Sequence, residues 1–191
     1  MSLTTLLRDV RSCTVCASHL PLGPRPVVSL PLQTRILIIG QAPGTAVHES
    51  GVAWDDPSGD HLREWMGISR ELFYKSKRIG IMPMGFCYPG KRKGGDAPPR
   101  PECAPLWHER IVESLPDVEL TLLIGRYAHK RYLGGNTRSV TETVRSFREH
   151  LPSQLPLPHP SWRSKIWMKE NPWFENKLLP ELRKSVKRSL R

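Results

Sequence analysis

Four short apolar runs partition this chain: Arg35-Ile-Leu-Ile-Ile-Gly40, Arg78-Ile-Gly-Ile-Met-Pro83, Glu119-Leu-Thr-Leu-Leu-Ile-Gly125 and Leu155-Pro-Leu-Pro158. Each is too brief for a core helix and apolar at nearly every position, so each reads as a strand buried on both faces. Helical stretches separate them, at His61 to Gly67, Pro105 to Leu115 and Tyr127 to Leu133. Strands alternating with helices predict an α/β fold whose parallel sheet is covered on both faces. Ligands of such sheets bind beyond the carboxyl ends of the strands, which directs attention to the loops there. The first run leads into Gly40-Gln41-Ala42-Pro43-Gly44, and the last into His159-Pro160-Ser161-Trp162-Arg163. Neither the Walker pattern nor G-x-G-x-x-G is present, so no nucleotide cofactor is supported.

The loop after the second run is bounded by Cys87 and Cys103, and a C-x-x-C pair, Cys13 and Cys16, lies near the N-terminus; these are all 4 cysteines. The opening residues carry no apolar stretch of signal-peptide length, so a cytoplasmic protein with reduced thiols is expected. Thiolates drawn from two distant segments suit a Cys₄ metal site, and both Zn and an iron–sulfur cluster accept one. The alternatives are unrelated buried thiols or a redox C-x-x-C pair; spacing alone does not choose.

The length of 191 residues fits a single domain, residues 1–191, and 19 prolines predict many fixed loops. No apolar run approaches the roughly 20 residues that span a bilayer, so no membrane partner is expected. The net charge of +11 favours a polyanion, because each phosphate neutralised releases a counterion. Lys91, Arg92 and Lys93 form one basic cluster. Arg183, Lys184, Lys187, Arg188 and Arg191 form another, but Leu182, Val186 and Leu190 recur among them at helical spacing, so this is the wet face of a helix. Basicity favours nucleic acid over a small-molecule substrate.

In the order of these motifs the chain resembles the uracil-DNA glycosylase superfamily, and within it the iron–sulfur branch called family 4. Gly40-Gln41-Ala42-Pro43-Gly44 is similar to that branch's Gly-Glu-Ala-Pro-Gly motif, and His159-Pro160-Ser161 to its second motif. Gly51, Trp54, Ser58 and Gly59 fall in register between them, with Trp54 where the family has a base-stacking Phe. The order of Cys13, Cys16, Cys87 and Cys103 resembles the ligand set of the family's [4Fe–4S] cluster. The resemblance implies a three-layer α/β/α sandwich with a central, mainly parallel four-stranded sheet. It implies a monofunctional DNA glycosylase of base-excision repair, hydrolysing the N-glycosidic bond of a flipped damaged base, uracil or another deaminated base. Damaged DNA, single- or double-stranded, is the expected partner, and the chain is expected to act as a monomer.

The implied roles are specific. Trp54 stacks on the base, while the backbone of Ala42, Pro43 and Gly44 approaches it closely. His159 stabilises charge developing on the leaving base. Ser58 and Ser161 meet phosphates. Trp162 and Arg163 lie where relatives carry a loop that enters the minor groove, and Lys91 and Arg92 lie near the backbone. The cluster is a structural staple, with Zn as the alternative.

Two departures stand out. Gln41 replaces the branch's Glu and cannot act as a base, though it can orient water; a further acidic position falls on Val47. Asp55 and Asp56 are the nearest substitutes, either as catalytic carboxylates or as caps of the helix beginning near Ser58. The Asn that reads uracil is missing from Met82-Pro83-Met84-Gly85-Phe86, so a larger, more apolar pocket lined by Met82 and Met84 is expected. These departures leave room for a catalytically weak or inactive binder of lesions or single strands on the same scaffold. A zinc-stapled nucleic-acid module with no lesion pocket is the third reading.

Overall fold

The structure, a computed structural model, describes residues 2–134 and 138–191. Among them the strands are β1 (Ile36–Ile39), β2 (Ile79–Ile81), β3 (Lys91–Arg92), β4 (Gly95–Asp96), β5 (Leu120–Ile124) and β6 (Gln154–Leu157). The helices are α1 (Leu3–Arg11), α2 (Thr45–Ser50), α3 (Pro57–Met66), α4 (Arg70–Lys75), α5 (Cys103–Glu113), α6 (Arg126–Tyr132), α7 (Val140–Arg145), α8 (Ser164–Glu170) and α9 (Leu179–Ser189).

A four-stranded sheet runs in the order β2-β1-β5-β6, and every neighbouring pair is parallel. The four apolar runs become these strands. Side-chain alternation divides the core into two layers. Ile36 and Ile38, with Leu120, Leu122, Leu155 and Leu157, pack against α3, α9 and the turn holding Phe174. Leu37, Ile39 and Leu123 face the other way, onto Leu3, Leu6, Leu7 and Val10 of α1 and Trp107 and Ile111 of α5. The result is a three-layer α/β/α sandwich.

Local signals set the helix limits. Asp56 caps α3 by accepting from the Gly59 N–H at 2.8 Å, Pro57 opens it, and Gly67 closes it in the left-handed region. In α9, Leu182 and Val186 are buried while the basic residues between them face outward, as their spacing predicts. The α1 helix and the β3–β4 hairpin were not anticipated.

Both rims of the sheet are closed. Ser29 bridges Ile81 of β2 through two backbone hydrogen bonds. On β6 the Gln154 N–H is taken by the His150 carbonyl, and Pro156 and Pro158 have no N–H to offer.

Chain order places the site. From β1 the chain moves outward to β2, then crosses back to lay β5 on the opposite flank of β1. The loops leaving β1 and β5 therefore diverge, opening a crevice at the carboxyl edge of the sheet.

Candidate active site

That crevice holds a cavity of about 110 Å³. Gln41, Ala42, Pro43 and Gly44 line it from the loop after β1, Trp54, Asp56 and Ser58 from the approach to α3, and His159 from the loop after β6. Ile81 and Pro83 close the side formed by β2, and Asp96 enters from the β3–β4 hairpin. Three residues far apart in sequence, Gln41, Trp54 and His159, thus share one wall-to-wall space.

Trp54 is held in an unusual conformation. Its φ of 60° lies in the left-handed region, costly for a bulky residue unless its surroundings fix it. The surroundings do so. Arg63, only 4 % exposed, donates to the Trp54 carbonyl at 3.1 Å and is anchored by Asp60 at 2.5 Å. The same guanidinium donates to the Tyr74 hydroxyl, which in turn donates to the Ala53 carbonyl. Two glycines make room. A Cβ on Gly40 would stand 2.8 Å from the Trp54 ring, and one on Gly59 would collide with the Trp54 carbonyl. The family-like glycines are therefore required by the indole's position.

The Trp54 and His159 rings face each other with centroids 6.0 Å apart, tilted by 36°. His159 lines the cavity from the loop after β6 and keeps part of its surface open to solvent, while its ring stands against Trp54 and the cavity wall. Burial lowers its pKa below the usual imidazole range, against the pull of Asp56 and Asp96. The ring is therefore neutral near pH 7 and able to donate one N–H into the cavity.

The carboxylates divide. Asp56 lines the cavity and also caps α3, as one of its two anticipated roles requires. Asp55 does not reach the cavity: Arg70 engages its carboxylate at 2.6 Å on the outer surface. The strand parity explains the error over Met82 and Met84. Both pack into the α1/α5 layer, while the alternate residues Ile81 and Pro83 face the cavity. The Gln41 amide donates to the Ala97 carbonyl at 3.2 Å, tying the loop after β1 to the end of the hairpin.

Asp96 was missed. It sits in Lys91-Arg-Lys-Gly-Gly-Asp96, which has no apolar alternation; the one turn signal was Lys93-Gly94, the two-residue loop between β3 and β4. Lys91 and Arg92 are exposed on this hairpin. Arg163 lies over the Trp162 ring at 5.2 Å and donates to the Gly94 carbonyl at 3.1 Å, so the loop after β6 grips the hairpin tip. Trp162 itself is 66 % exposed. Ser161 stays nearby, its carbonyl accepting from the Ser164 hydroxyl.

On the opposite layer all four cysteines line one separate cavity with Phe86, Glu102 and Trp107. None is in a disulfide. Among the described residues no three His, Cys, Asp or Glu side chains are arranged to hold a single metal ion. The thiols nonetheless influence one another: burial pushes Cys103 up to about 12, with smaller upward contributions from Cys87, Cys16 and Cys13. The Phe86 N–H donates to Cys103 Sγ at 3.4 Å, an interaction suited to a thiolate. Four half-buried thiols around one cavity, with a backbone donor aimed at one sulfur, form a donor set that either an iron–sulfur cluster or a zinc ion accepts.

No described helix is long and apolar enough to cross a membrane. A solution NMR structure of a candidate uracil DNA glycosylase from Methanosarcina acetivorans is similar at a TM-score of 0.49 and 18% identity, over 83% of this chain and 94% of that one. The model of the uracil DNA glycosylase superfamily matches residues 28–183, a span that includes Gln41, Trp54, Asp96 and His159. With that match over most of its length, the chain belongs to the uracil DNA glycosylase superfamily, so DNA glycosylase chemistry on a DNA substrate is its general class.

Proposed function

We propose that this protein is a monofunctional glycosylase that removes a damaged base, uracil or another deaminated base, from DNA and so begins base-excision repair. The observation that carries this reading is the single cavity shared by Gln41, Trp54 and His159. A base in a duplex cannot reach such a site, so the nucleotide is rotated out of the stack and into the crevice. The indole of Trp54 offers it a π face. The neutral His159 N–H meets a base oxygen as the C1′–N bond breaks and negative charge moves onto the ring. No lysine lines the cavity among the described residues, so no amine is placed to form a Schiff base and water is the nucleophile.

Base choice follows from the wall formed after β2. Pro83 has no N–H, and its carbonyl already accepts from His108 Nε2 at 3.1 Å. That wall offers no side-chain amide to pair with a uracil edge. Recognition falls instead to Gln41, His159 and the Ala42–Gly44 backbone, which suits a pocket tolerant of several deaminated bases.

Cys13, Cys16, Cys87 and Cys103 would hold a [4Fe–4S] cluster. When bound it would act as a structural cross-link, joining the segment after α1 to the loop between β2 and α5. Trp162 and Arg163, on the loop that carries His159, and Lys91 and Arg92, on the hairpin that carries Asp96, would meet the opened stack and its phosphates.

Oligonucleotides carrying uracil, hypoxanthine, xanthine or oxidised pyrimidines test the reading. Alkali-labile abasic sites are expected with at least one deaminated base. Tight, salt-sensitive binding with no abasic product on any of them would leave an inactive lesion binder instead. Iron and acid-labile sulfide in the brown purified protein would support the cluster, and zinc alone would replace it.

A further inference from the structure

We infer that Asp96, brought over the cavity by the β3–β4 hairpin, is the carboxylate that positions and deprotonates the attacking water. The inference rests on the glycosylase reading above. Gln41 occupies the motif position where a base would be expected, but its amide can neither accept a proton at neutral pH nor leave its partner, the Ala97 carbonyl. The donor in that bond must be an N–H, because a carbonyl only accepts. A glutamate at position 41 could not make it. Gln41 therefore secures the chain immediately after Asp96, and Arg163 secures Gly94, two residues before it. Two side chains from two different loops hold one strand end over the cavity, and of the two residues between the holding points, Gly95 and Asp96, the only side chain is an acid.

The placement suits the chemistry. A Cβ on Gly44 would stand 3.4 Å from Asp96 Oδ2, so the carboxylate lies against the backbone expected to approach the base. His159 and Asp56 share the cavity with it. Asp56 has one oxygen committed to the Gly59 N–H, whereas Asp96 has no hydrogen-bond or ion-pair partner among the described residues. Asp96 is exposed by area, but its carboxylate borders the cavity and is partly shielded there from water. Burial raises its pKa, with Asp56 adding to the rise and His159 and Lys91 opposing it. In the step, the water oxygen bonds to C1′ and the C1′–N bond breaks. That electron pair leaves with the base, whose oxygen is met by His159. The water proton passes to Asp96 and then to solvent.

Single-turnover excision by the full-length protein decides the matter, using whichever base of the panel the wild type removes. Asp96→Asn should slow excision by about 100-fold or more. Affinity for abasic-site DNA should be unchanged, and the wild-type rise in rate with pH through the Asp96 ionisation should be lost. Asp96→Ala should behave alike, which separates the charge from any effect of the asparagine. A rate within threefold of wild type for either variant, or slowing matched by an equal loss of abasic-DNA affinity, would overturn the assignment. A wild type that cuts no base at all would instead overturn the glycosylase reading beneath it.

Discussion

In the proposed reaction His159 works as a neutral donor, and its setting explains why. Carboxylates at Asp56 and Asp96 pull toward protonation, but burial outweighs them. A donor aimed at a developing oxyanion typically contributes 10²–10³ in rate, because it gains strength as charge appears. His159→Ala should therefore slow single-turnover excision by about 100-fold while leaving DNA affinity within a small factor. Parallel rate and binding measurements check this, and an equal loss of both would make His159 a binding group only. Much of this site could be read from residues. Gln41, Trp54 and His159 stand in recognisable motifs, and Gly40 and Gly59 are fixed by contact with the Trp54 indole and the Trp54 carbonyl respectively. Asp55 could not be told from Asp56 by sequence, because adjacent residues at a helix start point to opposite sides; only the position of Arg70 decides which one meets the cavity. Asp96 lacked any signal of its own, since the side chains that hold its strand end, Gln41 and Arg163, are distant in the chain and bond its neighbours' carbonyls.

The approach to α3 is the element on which the indole depends. Arg63 ties the first turns of α3 to α4 through Tyr74 and fixes the Trp54 carbonyl in the left-handed bend. Arg63→Ala removes a buried charged donor and leaves that carbonyl unpartnered. We expect a loss of about 2–3 kcal/mol in denaturant melts, with altered tryptophan fluorescence as Trp54 leaves its place. On the other layer, α5 begins at Cys103 and carries His108 beneath Pro83. Under the proposed cluster, Cys87→Ser should release iron and sulfide together and lower the melting temperature. A colourless variant that melts like wild type would remove the cysteines from the fold's support. The strands were legible because burial on both faces leaves nothing but apolar side chains. The hairpin was not, because its residues face solvent or a polar cavity and its pairing is only two residues long on each strand. Met82 and Met84 were misplaced by one step of the pleat, which sequence does not show where a strand runs on into a loop.

At the scale of the whole molecule, acid acts through the buried histidines. His108 is stacked on Phe86, accepts from the Tyr132 hydroxyl at Nδ1 and donates from Nε2 to Pro83. Burial lowers its pKa from 6.5 to about 4, and lowers that of His129 as well. Between those values the unfolded chain binds protons that the folded chain refuses. Stability is therefore complete above the ordinary histidine range and falls as pH drops through it. The expected slope is up to about 1.4 kcal/mol per pH unit for His108 alone. Urea melts at a series of pH values check the sign, and a rise in stability on acidification would contradict it.

The proline-bearing rim of β6 has a consequence for how such molecules behave in a crowd. Leu155 and Leu157 turn their N–H groups inward to β5, so the outward side of this rim would have to donate from residues 154, 156 and 158. The first is already engaged and the other two are prolines. A neighbouring copy would find acceptors there without a single donor to zip against, so stacking rim to rim into fibrils or swapped assemblies has no foothold along β6.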